Sequence, residues 1–281
     1  MADSSALPAS SLRCRYCDLP LSTADSHEKM VSNLVQNKLI RSENVIKAMK
    51  SVDRKDFVNE EKRAYQPPIS MQGENNANSN FGLELLATFA QNGAHILDIG
   101  SGSGYVSTCL ARMGSKVTGG VEHITALVKQ SIQNISANHK ELLETKQVRI
   151  ICADARKLVA PEGCSFDAIH CGAAAEELPA WMWKAVKPGG RIVMPIGPEH
   201  GPQYLSYVDK NKEQSQQSST KTDDGSEKIK IHKLFKVLYV PMTDPKWQKD
   251  RWEFIEVDKY DDDDDNDHDD DDHNDGDKDG R

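Results

Sequence analysis

The chain has 281 residues, 37% hydrophobic and 28% charged, with a formal net charge of −9 at pH 7. That charge is concentrated at one end: residues 261–281 hold thirteen Asp against Lys278 and Arg281, a net of −11, so the rest carries +2. A nearly neutral body without a basic stripe excludes nucleic acid as the expected partner. No run of eighteen apolar residues suggests a membrane span, and Met1 to Leu12 lacks a basic start followed by an apolar core. The expectation is a soluble, non-secreted, cytoplasmic monomer with no membrane or nucleic-acid partner.

Residues 1–25, rich in Ser, Ala and Pro, read as a flexible arm. Within it Cys14 and Cys17 make a C-x-x-C, but no second pair with suitable spacing follows, so no metal site is expected. An amphipathic helix is predicted over Ser26 to Lys38 with Met30, Leu34 and Val35 on one face. Ser42 then caps a second helix carrying Val45, Ile46 and Met49. Residues 69–82 are asparagine-rich and nearly free of apolar side chains, which predicts a loop before a helix at Leu83 to Gln91.

The organising stretch follows. Ile96-Leu97-Asp98-Ile99 reads as a short apolar strand that runs into Gly100-Ser101-Gly102-Ser103-Gly104, and Tyr105 to Met113 continues with helical spacing. Glycines at alternate positions leave no Cβ in the way of a ligand lying against a helix N-terminus. A second strand, Lys116 to Val121, closes on Glu122, a carboxylate suited to a ribose diol. A helix is predicted over Ile124 to Ala137 with Leu127, Val128, Ile132 and Ile135 inward. A third strand, Val148 to Ala153, then leads to Asp154, placed to accept from an adenine amino group. Three acids and a glycine turn at strand ends point to one crevice of a doubly wound α/β sheet, and the spacing departs from the dinucleotide fingerprint. A cofactor with cationic sulfonium and amino groups and no phosphate, S-adenosylmethionine, suits that set.

Further on, Phe166 to Cys171 makes a fourth strand, Glu177 to Val186 a helix, Arg191 to Pro195 a fifth strand and Tyr204 to Asp209 a sixth. Residues 210–229 read as a long hairpin loop, and Leu234 to Val240 returns antiparallel at the sheet edge. His170, inside the fourth strand, reads as a satisfied core histidine in preference to a general base. Cys109, Cys152, Cys164 and Cys171 lie in or beside elements expected to be buried or short-looped, as small hydrophobes. The domain is assigned to 26–257, and 258–281 to a disordered, solvating acidic tail. Asp275, Asp277 and Asp279 only imitate the start of a calcium loop.

Asp98 to Tyr105, Gly120-Val121-Glu122-His123-Ile124, Phe166 to Ala175, Lys187-Pro188-Gly189-Gly190-Arg191 and Tyr239-Val240-Pro241-Met242-Thr243-Asp244 together resemble the protein-L-isoaspartate (D-aspartate) O-methyltransferase family, from about Ser26 to Trp252. The resemblance implies a class I S-adenosylmethionine-dependent methyltransferase fold. It also implies methyl transfer to the free carboxylate of L-isoaspartyl and D-aspartyl residues in damaged proteins and peptides, starting repair through a succinimide. Carried over by position, Gly100, Ser101, Gly102 and Gly104, with Asp98 before them, lie at the methionine part and Glu122 holds the ribose. His123 follows along the cofactor, Asp154 and Ala155 face the adenine, and Thr243 and Gln248 match C-terminal cofactor contacts. Ala155 replaces a glycine usual in the family.

The family also carries a threonine-isoleucine-serine-x-proline segment whose serine contacts the reacting carboxylate. Here Ile69-Ser70-Met71 and Asn78-Ser79-Asn80 stand in its place without the proline, so Ser79 and Ser70 are the nominated catalytic residues. Two other readings stay open at this point. One is a catalytically impaired relative that binds the cofactor and acts as an interaction protein; the other is a methyltransferase for a different carboxyl acceptor.

Overall fold

A computed structural model describes residues 24–58, 65, 76–158, 165–211 and 229–243. Among these residues, seven strands make one sheet: β1 His95–Ile99, β2 Lys116–Glu122, β3 Val148–Cys152, β4 Phe166–Cys171, β5 Val186–Ile196, β6 Gln203–Asp209 and β7 His232–Val237. Their order is β3-β2-β1-β4-β5-β6-β7. The first five pair in parallel, while β5 with β6 and β6 with β7 are antiparallel. The order therefore turns back between β1 and β4, where a doubly wound sheet opens a crevice at its strands' C-terminal ends.

Alternate strand residues feed two cores, one on each face. Ile96, Ala168 and Val193 pack with α1 (His27–Gln36), α2 (Glu43–Ser51), α3 (Asn76–Leu85), α4 (Tyr105–Arg112) and α5 (Thr125–Glu144). Leu97, Ile99, Ile169 and Ile192 pack on the opposite side with Met182, Trp183 and Ala185 of α6 (Ala180–Ala185). Burial on both faces is why the apolar residues of β1 and β4 fall on both faces and do not alternate strictly with polar ones. Each fully buried Leu, Ile or Met, such as Leu34, Met49, Leu110 and Ile135, contributes about 1.5–3 kcal/mol of transfer free energy.

Several local expectations change. In α1 the buried residues are Met30, Val31 and Leu34, while Val35 is 38% exposed. Ser26 caps this helix by accepting from the Lys29 N–H, but Ser42 before α2 makes no such cap. Its N–H and Oγ instead donate to Glu84 of α3, and so tie the two helices together. α3 begins at Asn76, inside the segment read as a loop. Asn80 and Leu83 are buried in it, and Phe81 meets Phe235 edge-on at 5.1 Å, so tertiary packing overrides the weak local preference of asparagine. α5 runs to Glu144, past the expected end at Ala137, through a kink at His139 (φ −140°), whose ring stacks on Phe57. Its inward residues include Ser131, Ile135 and Leu142, whereas Ile132 faces out. β5 starts at Val186, five residues before the expected Arg191, and carries Lys187 to Gly190 within the strand, with Gly189 at φ +84°.

Candidate active site

β1 ends at Ile99 and α4 begins at Tyr105, so five residues must reverse the chain, and three of them take the left-handed conformation: Gly100 (φ +68°), Gly102 (φ +52°) and Gly104 (φ +85°). The N–H groups of Gly100 and Ser101 donate to the Val121 carbonyl at 2.8 and 3.2 Å, which fixes the turn against the end of β2. The glycines differ in what surrounds them. A Cβ at Gly104 would lie 3.0 Å from Ile135 Cδ1 and 3.2 Å from Ser131 Cβ, so this glycine serves close helix packing. A Cβ at Gly102 would meet only the Gly100 carbonyl oxygen at 3.9 Å, so this backbone faces open space. Ser101 Oγ is buried without a hydrogen-bond partner among the described residues. An open backbone surface beside an orphaned hydroxyl is the signature of a ligand cradle, and it fits the amino-acid part of S-adenosylmethionine.

The two acids beyond the turn are held in the same manner. Glu122 Oε1 accepts from the N–H groups of His123 (2.8 Å) and Ile124 (3.0 Å), and Oε2 from Gly102 (3.2 Å). A carboxylate offers about four lone-pair sites, so one remains on Oε2, beside the glycine turn. Asp154 caps the short 3-10 turn Ala155–Lys157: Oδ1 accepts from the N–H and Nε of Arg156 at 3.0 Å each, and Oδ2 from Nη2 at 2.6 Å. That side-chain grip, more than any other contact, holds the Asp154 carboxyl below the usual range. Ala155 is buried and His123 half-buried next to these groups.

Asp98 is placed differently from the expectation of a crevice-facing acid. It is fully buried; Oδ2 accepts from Ser107 Oγ of α4 at 2.5 Å, and Oδ1 lies 2.7 Å from His170 Nδ1 of β4. Its two oxygens brace the turn from beneath. Thr243 is brought to the β4 exit by a short parallel bridge: Ala174 N–H donates to the Val240 carbonyl at 2.9 Å and Met242 N–H to the Ala174 carbonyl at 2.7 Å. Gln248 and Ser70 lie outside the described residues, as do Cys14, Cys17, Cys164 and the acidic tail. Of Ser79 only the backbone position in α3 is described.

Burial pushes the thiols of Cys109 and Cys171 up to about 12, which fits small hydrophobes and excludes either as a nucleophile at neutral pH. Cys152, expected to be buried, is exposed at the end of edge strand β3. Arg156 and Ser107 were not legible as site residues. Their only sequence signal was position, two after the third-strand acid and nine after Asp98. Among the described residues no helix is long and apolar enough to cross a membrane.

The sequence profile of the protein-L-isoaspartate (D-aspartate) O-methyltransferase family matches residues 25–247. Arabidopsis thaliana protein-L-isoaspartate O-methyltransferase 1 is 37% identical over 233 residues, covering 79% of this chain and 93% of that protein. The Caenorhabditis elegans protein-L-isoaspartate O-methyltransferase is 33% identical over 237 residues, covering 82% and 98%. A Plasmodium falciparum crystal structure described as such an enzyme, in complex with S-adenosyl-L-homocysteine, superposes with a TM-score of 0.65 at 27% identity. It covers 78% of this chain and 99% of its own.

Proposed function

The chain belongs to the protein-L-isoaspartate (D-aspartate) O-methyltransferase family, and on that premise we propose that it methylates the free carboxylate of L-isoaspartyl and D-aspartyl residues in damaged proteins and peptides. S-adenosylmethionine supplies the methyl group from its sulfonium centre. The observation that carries the reading is the glycine turn, whose open Gly102 backbone stands beside the unpartnered Ser101 hydroxyl.

The residues divide the work as follows. Gly100, Ser101 and Gly102 hold the amino-acid part of the cofactor, on a turn that Gly104 lets pack against α5. Glu122, with its remaining lone pair, accepts from a ribose hydroxyl, with His123 alongside. Asp154 and Ala155 bound the adenine, and Thr243 and Gln248 close the cofactor from the C-terminal segment. An ionised carboxylate is already a nucleophile, so no strong base is required, only alignment of the acceptor oxygen with the methyl group and exclusion of water. Ser79, and less directly Ser70, orient that acceptor carboxylate. The inert, buried thiols of Cys109 and Cys171 are consistent with a site that does without a covalent enzyme intermediate.

The test is transfer of labelled methyl from S-adenosylmethionine to an isoaspartyl peptide beside its normal aspartyl twin, with cofactor binding followed calorimetrically in the same preparation. Base-labile label on the isoaspartyl peptide alone is the expected result. Cofactor binding without transfer to either peptide would overturn the assigned acceptor.

A further inference from the structure

His170 stands directly opposite Asp98 in the parallel register of β4 and β1, on the sheet face where Ala168, two residues earlier, packs towards α3 and α4. The His170 and Asp98 side chains are 6% and 1% exposed. A carboxylate oxygen only accepts, so the 2.7 Å contact assigns a hydrogen to Nδ1. The second nitrogen is directed at α3: a Cβ on Gly82 would sit 3.0 Å from Nε2 and 3.2 Å from Cδ2. A methyl at 82 would press on this edge of the ring from the α3 side, away from the Nδ1 contact. Gly82 lies three residues after Ser79 and two after the buried Asn80, on the helix that carries the nominated acceptor-binding segment.

We infer that His170 is a positioning residue that couples the cofactor turn, through Asp98 and Ser107, to the acceptor-bearing helix α3. The inference rests on the functional reading above. A histidine that merely satisfied the core would account for the Nδ1 contact alone; it would not require a glycine seated against the other side of the ring. Through Nδ1 the ring fixes Asp98, at the end of the strand that feeds the glycine turn. With its Nε2 side it sets the height at which α3 crosses the sheet, and hence the distance between acceptor and cofactor.

Two variants separate the two edges of the ring. His170→Asn can keep an N–H donor to Asp98 while removing Nε2, and His170→Phe keeps the bulk against Gly82 while leaving Asp98 Oδ1 without its donor. With the full-length protein and S-adenosylhomocysteine as probe, His170→Phe is expected to weaken binding about tenfold, with the KM for an isoaspartyl peptide within about threefold of wild type. His170→Asn is expected to hold S-adenosylhomocysteine within about threefold, yet to raise that KM about tenfold. Gly82→Ala should share the peptide defect. Only this crossed pattern supports the coupling; parallel losses in both constants, or a His170→Asn enzyme equal to wild type in kcat and KM, overturn it. If the wild-type enzyme binds S-adenosylhomocysteine but methylates no isoaspartyl peptide, the acceptor assignment fails. The affinity contrast between the two variants then still decides whether His170 fixes Asp98.

Discussion

Gly102→Ala separates ligand binding from folding, because the two demands on that residue have different sizes. The backbone at φ +52° costs an L-residue roughly 1–2 kcal/mol, but the added methyl meets no protein atom closer than 3.9 Å. For a domain of this size, about 1 kcal/mol corresponds to about 2–4 °C in Tm, so the variant should stay folded and lose only a few degrees. The methyl occupies the open surface where the cofactor is proposed to lie, and affinity for S-adenosylhomocysteine should fall at least tenfold, about 1.4 kcal/mol. Gly104→Ala inverts the balance. Its methyl would stand 3.0 Å from Ile135 Cδ1, and overpacking of that kind adds about 1–3 kcal/mol to the conformational cost. Thermal unfolding and isothermal titration of the two variants decide the matter. A folded Gly102→Ala protein that binds with wild-type affinity would refute the cradle.

Ser79→Ala should lower turnover on an isoaspartyl peptide with little change in cofactor affinity; unchanged turnover would remove Ser79 from the site. Saturating S-adenosylhomocysteine at a hundred times its Kd should stabilise the fold by about 2.7 kcal/mol, and a Tm that does not move would contradict binding to the native state. Burial alone would raise the Asp167 carboxyl, but Lys187 Nζ at 2.8 and 2.9 Å and the His95 N–H at 2.8 Å outweigh it and hold it below the usual range. A depressed carboxyl stabilises above its unfolded value, about 3.9, and the contribution disappears as pH falls through the folded value. Lys187→Met should therefore cost about 1 kcal/mol or less near pH 7 and converge with wild type in acid. A gap that persists at pH 2 would contradict the assignment.

The parallel core was legible because the short strand segments β1, β2 and β4 end at or just before Gly100, Glu122 and Gly172, signals that are local and strong. The edges of helices were less so. Val35 and Ile132 carry the right period for burial, yet they are 38% and 40% exposed. α3 could not be read from an asparagine-rich segment, since its order comes from Phe235, Leu83 and the sheet and not from its own propensity. The roles of the acids divide on similar lines. Glu122 and Asp154 were identifiable by their place after strands, but their hydrogen bonds to backbone and to Arg156 depend on local turns. That Asp98 looks inward follows from the pleat: the cross-strand partner at its register, His170, stands on the same face.

The central claim is selective carboxyl methylation that starts repair, and its most direct measurement follows the isomer composition of a peptide through many turnovers. A pure isoaspartyl peptide incubated with the protein and S-adenosylmethionine should give a growing fraction of the normal aspartyl isomer, through a succinimide, while the aspartyl twin stays unmethylated. Equal methylation of both isomers, or an isoaspartyl pool that does not decline although the cofactor binds, would contradict the account.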